Sequence, residues 1–235
     1  MKHLSYYAIR ILAMATMLID HIGAVFWSDV ELLRAVGRIA YPLYAFGIAC
    51  GWMHTRNRQK YIWRLLPVAL MAQAFWSLLA FKGVNVVVGF VAVLVWMAWA
   101  TPRISAMMRM PPRVMDALAI SVSWGCVCAA SVLLGVDYAF ETMVYVPLNC
   151  ALLWLLREHG RAPVWLPSLL YVVVSAPFSG IVRPHLWAIA LLSPAAVALH
   201  KEGKAVPAPW WFHHLYFWFY PAHLALLYTV SSAIG

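Results

Sequence analysis

Charge is what this chain has least of. Asp, Glu, Lys and Arg make up 11% of its 235 residues, against about 25% in a soluble globular domain. With a mean hydropathy of +0.79, that shortage leaves no room for a sizeable soluble domain. Acidic residues are scarcer than basic ones, eight against seventeen, so a carboxylate set among apolar residues stands out. Internal repeats, low-complexity tracts and long polar linkers are missing, and nothing points to a solenoid or a tethered second domain. No H-E-x-x-H motif, nucleophile elbow or glycine-rich phosphate loop occurs. Metalloprotease, serine-hydrolase and nucleotide-hydrolase readings therefore have no support. Cysteine is sparse and unpaired: Cys50, Cys126, Cys128 and Cys150 lie in apolar runs without a C-x-x-C pair. Cys126 and Cys128, two apart, point in different directions on a helix. These side chains read as small apolar fillers, and neither a disulfide nor a metal site is expected from them.

What is present is apolar sequence in continuous, not alternating, runs, which argues for membrane helices and against a β-barrel. A spanning helix needs about 20 residues. Nine runs approach that length: Tyr6–Trp27, Leu33–Met53, Tyr61–Phe81, Val84–Ala100, Val114–Val136, Phe140–Leu156, Val164–Phe178, His185–Leu199 and Trp210–Ile234. The seventh and eighth are short, meet at Ser179-Gly180, and read as full, tilted or re-entrant. The expected fold is all-α: a polytopic transmembrane helical bundle forming one integral membrane domain over residues 1–235. Asp20 and His21 interrupt the first run and no small-x-small cleavage site follows, so that run is expected to be retained and not cleaved as a signal peptide.

The basic residues give an orientation. With the N-terminus cytoplasmic, Lys2, Arg56, Arg58, Lys60, Arg64, Arg103, Arg109, Arg113, Arg157, Arg161, Lys201 and Lys204 fall inside. Only Arg34, Arg38, Lys82 and Arg183 fall outside, and Arg10 lies within the first run. A net charge of +9 distributed in this way is a topology signal, and no nucleic-acid partner is expected. Membrane lipid is one.

Asp20-His21 is the most informative pair. Ionisable groups are costly inside a bilayer and usually face a polar interior with a function. The pair lies about 22 Å from the cytoplasmic end of its helix at 1.5 Å per residue, in the outer half of the bilayer. The same half gathers Arg34, Arg38, Asp137, Glu141, Arg183 and His185. His21 is the candidate general base, since an imidazole pKa of about 6.5 lets it accept a proton near neutral pH. Neighbouring helical positions diverge, so Asp20 is expected to pair across to another helix, with Arg38 the candidate. That pair reads equally as a structural ion pair, and an interfacial structural role is the lesser alternative for His21. Arg34 and Arg38, four apart, share a helix face with Tyr41, and Pro42 is expected to kink the helix by freeing the carbonyl of Arg38.

The segment His54-Thr55-Arg56-Asn57-Arg58-Gln59-Lys60, continuing to Arg64, is the densest basic cluster. It reads either as an anchor on anionic headgroups or as a site for a phosphorylated small molecule, for which a nucleotide-bearing acyl carrier is suited. In the last run, His213-His214 reads as an interfacial belt with Trp210 and Trp211. His223 lies deeper, beside the helix defect at Pro221.

The runs Met17-Leu18-Ile19-Asp20-His21-Ile22-Gly23, Arg34-Ala35-Val36-Gly37-Arg38-Ile39-Ala40-Tyr41-Pro42 and His54-Thr55-Arg56-Asn57, with Phe219-Tyr220-Pro221-Ala222-His223-Leu224, resemble the TraX family of conjugation proteins. Asn85 and Asp137-Tyr138 fit more loosely. Cys50-Gly51, where the family pattern has an acidic residue before the glycine, and Gln73-Ala74-Phe75-Trp76 depart from it. The resemblance implies a multi-pass protein of the bacterial inner membrane that belongs to the conjugation machinery. It implies acetylation of pilin at its N-terminal amine, with acetyl-CoA as donor and no metal. On that reading His21, Asp20, Arg38 and His223 are catalytic. His54, Arg56, Asn57, Arg58, Lys60 and Arg64 hold the donor, and Arg34, Asp137, Tyr138, Arg183 and His185 meet the acceptor. A non-catalytic membrane assembly factor is the alternative. A proton-coupled transporter fits less well, because no inverted repeat is visible.

Overall fold

A computed structural model of the protein describes residues 6–109, 114–159 and 209–234. Eight helices occupy these residues: α1 (Tyr6–Phe26), α2 (Glu31–Gly37), α3 (Ala40–His54), α4 (Arg58–Leu78), α5 (Val86–Arg109), α6 (Val114–Leu133), α7 (Ala139–His159) and α8 (Trp210–Ile234). No strand forms among the described residues. The helices Tyr7–Phe26, Val86–Met107 and Met115–Leu133 are long and apolar enough to cross a membrane, which marks the chain as a membrane protein. The expected spans Val164–Phe178 and His185–Leu199 lie outside the described residues, as do Arg183 and His185.

The central helix is α3, packed against α1 on one side and α7 on the other. Its composition suits that place: Leu43, Ala45, Phe46, Ala49 and Trp52 are all buried, and its small residues allow close backbone approach. Helix α8 packs on α1 and α4, and α4 packs on α5. By contrast α6 exposes Met115, Leu118, Val122 and Leu133, the outward apolar face that a helix presents to lipid.

The second expected span is two helices. The chain turns at Arg38 and Ile39, whose amides bond Ala35 and Val36 three residues back, so the four-residue ladder stops. Pro42 is the cause in part. It stands in the first turn of α3, where its missing N–H has no helical acceptor to lose. The expected kink is a short tightened turn in which Arg38 and Ile39 keep right-handed helical dihedrals, and it divides Arg34 and Tyr41 between two elements. The fourth expected span ends too early at Ala100, because α5 continues through Thr101-Pro102. Side-chain donors serve that turn: Thr101 Oγ1 donates to Met97 O at 2.6 Å and Arg103 Nη1 to Trp99 O at 2.8 Å.

Two interhelical turns cross at one end of the bundle. Val84 N donates to Gly135 O at 3.0 Å and Asp137 N to Val84 O at 2.8 Å. The crossing needs glycine. Gly83 has φ +75°, and a Cβ there would overlap the Gly135 carbonyl oxygen. The turn places Asp137 and Tyr138 against the α2–α3 break, and Tyr138 is held at φ 53°, a left-handed conformation that costs a residue with a Cβ free energy.

Candidate functional site

Asp20 and His21 lie in the last two turns of α1, and their divergence on the helix decides their partners. Asp20 points at α2. Its Oδ2 is 2.9 Å from Arg34 Nη1, and the same nitrogen donates to the Asp20 backbone oxygen at 3.3 Å. This close approach depends on Gly37, where a Cβ would overlap the Asp20 carboxylate. Arg34, not Arg38, is thus the ion-pair partner. Arg38 lines the same cavity as Asp20 and Arg34, but its Nη1 donates to Tyr138 Oη at 2.6 Å. Asp20 Oδ1 is buried without a hydrogen-bond partner among the described residues.

His21 points the other way, at α8. Its Nδ1 lies 2.6 Å from His223 Nε2, with the two rings 9° from parallel. His223 Nδ1 lies 2.8 Å from Phe219 O. A carbonyl only accepts, so His223 Nδ1 carries the proton and His223 Nε2 accepts in its neutral form. His21 Nδ1 must then donate, which places the His21 lone pair on Nε2. The sequence interval between these histidines is 202 residues, and no spacing rule joins them. Around His21 stand Trp76, Phe81 and Tyr220, with ring centroids 6.0, 6.0 and 5.7 Å away. Tyr220 Oη accepts from Asn85 Nδ2 at 2.8 Å, which leaves its own proton for a second partner. Asn85 is in turn fixed by Gln73, whose Oε1 accepts the Asn85 backbone N–H at 2.7 Å.

Two cavities meet at this pair. The larger, about 300 Å³, runs from Arg10, Arg64 and His213 past Tyr44 and Tyr216 to Asp20 and His21. The smaller, about 210 Å³, is lined by Arg34, Arg38 and Lys82, and again by Asp20, His21, Asp137 and Tyr138. A base at such a junction faces reactants arriving from two directions. In the smaller cavity, burial pushes the Asp137 carboxyl up to about 6, against the opposing pull of the Arg38 guanidinium. The Tyr138 phenol is pushed up to about 12 by the same burial.

The structure brings His21, His223, Asp20, Arg34, Arg38, Asp137 and Tyr138 together. It does not bring most of the basic cluster to the cavity. His54 Nδ1 lies 2.8 Å from Cys50 O. Asn57 caps α4, its Oδ1 accepting from Lys60 N at 2.8 Å. The Arg58 guanidinium stacks over Trp52 at 4.9 Å. Arg56, Arg58 and Lys60 are exposed, and of the cluster Arg64 alone lines the larger cavity. Sequence reasoning missed Arg10, Tyr44, Tyr216 and the role of His213. Arg10 gave one signal: it is a guanidinium within an apolar run, eleven residues before His21, on the same face of the helix.

A family model described as TraX protein matches residues 5–231. The chain is also 38% identical over 86 residues to a protein of Dichelobacter nodosus named "Probable fimbrial assembly protein FimC, serogroup H1"; the match covers 34% of this chain and 35% of that protein. The chain thus spans about a third of that relative's length. No solved structure matches it. With nearly its whole length matched by one family model, the chain belongs to the TraX family.

Proposed function

We propose that this protein is a membrane acetyltransferase of pilus or conjugation assembly, which moves an acetyl group from acetyl-CoA to the N-terminal amine of pilin. The observation that carries the reading is His21 at the junction of two cavities, with its Nδ1 committed to His223 and its lone pair on Nε2. The donor enters the larger cavity and the acceptor the smaller. The amine nitrogen attacks the thioester carbonyl carbon while His21 Nε2 takes the proton from that nitrogen. The carbon–sulfur bond then breaks, and the thiolate leaves with the proton held by His21. Tyr220, with its hydroxyl proton unspent, is placed to donate to the tetrahedral oxyanion. Arg34 and Asp20 fix the end of α1. The reading includes the orientation given by the basic residues: a multi-pass protein of the bacterial inner membrane with about nine spans and a cytoplasmic N-terminus. The larger cavity then opens toward the cytoplasm, where acetyl-CoA is made.

A second reading, a non-catalytic assembly factor that holds pilin before polymerisation, is favoured by the name of the D. nodosus relative. Intact-mass measurement of the cognate pilin, from cells with and without this chain, separates the two. An acetyl increment that depends on the chain supports the enzyme. Unchanged pilin mass with lost pili supports the assembly factor.

A further inference from the structure

The larger cavity has a graded lining that the proposed reaction does not by itself require. At the end away from His21 it meets two guanidinium groups. Arg10 Nη1 lies 3.1 Å from His213 Nδ1, and its guanidinium carbon lies 4.8 Å from the Tyr216 ring centroid. An arginine only donates, so His213 Nδ1 accepts. Arg64 lies over the Phe217 ring at 5.7 Å. A guanidinium stacked on an aromatic face keeps in-plane N–H groups for an anion. Midway stands Tyr44. Its ring stacks on Tyr216 at 5.5 Å, and its hydroxyl is buried without a hydrogen-bond partner among the described residues. Tyr44 is part of the cavity wall, and a small rotation of its ring lets an unsatisfied hydroxyl of this kind pair with a ligand that supplies an acceptor. From Arg10 to His21 the helix rises about 16 Å. The order along it is cations, orphan hydroxyl, imidazole.

We infer that this cavity is the donor channel. The phosphate end of the donor lies between Arg10 and Arg64, its amide-bearing arm runs past Tyr44, whose hydroxyl donates to an amide carbonyl, and its thioester arrives at His21. The inference rests on the acetyl-transfer reading and moves the anion site from the exposed Arg56, Arg58 and Lys60 to Arg10 and Arg64. A phosphate at this mouth comes either from a nucleotide-bearing thioester or from a lipid headgroup, and the lining favours the thioester because the cavity continues inward past Tyr44 and Tyr216 to His21.

The test is equilibrium binding to the full chain in lipid nanodiscs, using a non-hydrolysable thioether analogue of acetyl-CoA and the matching phosphate-free acetyl-pantetheine thioether. Arg10→Gln and Arg64→Gln are expected to weaken the phosphate-bearing analogue about tenfold or more each, the weight of charged hydrogen bonds, and to leave the phosphate-free one unchanged. Tyr44→Phe weakens both by about threefold to tenfold. Arg56→Gln and Arg58→Gln change neither. Retained binding of the phosphate-free analogue reports an intact fold; where Arg10→Gln loses it, the exposed Arg64 decides alone. Full affinity in the Arg64 variant, or a loss in the Arg56 or Arg58 variants, overturns the inference. So does loss of co-purifying phosphatidylglycerol with analogue affinity intact, which assigns the mouth to a lipid headgroup. His21→Ala separates this site from the reaction: undiminished transfer by that variant, with the Arg10 and Arg64 losses still observed, removes the base and leaves the channel standing.

Discussion

Around His21 the chemistry turns on which nitrogen holds which proton. The carbonyl of Phe219 fixes His223, and His223 fixes His21. His223 is a positioning residue on this account, and its loss frees His21 to adopt either tautomer. His223→Ala is expected to lower the transfer rate about tenfold to hundredfold with the donor KM unchanged, measured by steady-state kinetics; a raised KM at normal rate would assign it to packing. Gly37 gives a stability test. Gly37→Ala forces a methyl into the Asp20 carboxylate and is expected to cost about 1–3 kcal/mol. The double variant with Asp20→Gly recovers part of that loss, because it removes both the Cβ and the carboxylate that the new methyl meets. Thermal unfolding in detergent reads both. Asp137 gives a pH test. Its folded-state pKa of about 6 exceeds the ordinary carboxylate value of about 3.9, so the folded state binds more protons between them. Stability then falls as pH rises through that window. Asp137→Asn is expected to flatten the decline between about pH 4 and pH 6, measured as melting temperature against pH. The buried pair itself was legible in the sequence, because an ionisable dipeptide inside an apolar run is conspicuous. Its partners were not. The choice of Arg34 over Arg38 depends on the approach of Tyr138, which takes the Arg38 donor, and that of His223 on the tertiary approach of α8.

The elements were legible where an apolar run had polar ends. Helices α1 and α8 lie within a residue of their expected bounds. The second run misled because the backbone stays helical through Arg38 and Ile39 and only the step from four-residue to three-residue hydrogen bonds divides it, which hydropathy does not register. The crossing of the 83–85 and 135–137 segments was equally invisible, since it pairs two short turns remote in sequence. That crossing carries Asp137 and Tyr138, which stand on the proposed acceptor side. Gly83→Ala meets both an unfavourable φ and the Gly135 carbonyl. It is expected to destabilise by about 2 kcal/mol or more and to lower transfer in parallel, since Asp137 and Tyr138 move with the turn. Pro42→Ala, in the first turn of α3, is expected to change stability by under about 1 kcal/mol. Comparative melting of the two variants checks the contrast.

Across the whole molecule, the proposed topology puts α1, α4 and α8 with their starts toward the cytoplasm, so the cation-lined mouth and the donor share a side. Cysteine introduced at Lys82 is then expected to react with a membrane-impermeant maleimide added outside spheroplasts, and cysteine at Arg58 only after permeabilisation. The family resemblance was readable from the Asp20-His21 and Arg34–Pro42 runs. The channel was not, because its lining comes from single residues on α1, α3, α4 and α8 with no local pattern. The central claim is that His21 removes the proton from the acceptor amine. The most direct measurement is single-turnover acetyl transfer from acetyl-CoA to purified pilin by the wild-type chain and by His21→Gln, followed by intact mass. The account predicts an acetyl increment with the wild-type chain and a rate at least about a hundredfold lower with the variant, at equal affinity for the donor analogue. Equal rates for the two proteins would contradict it.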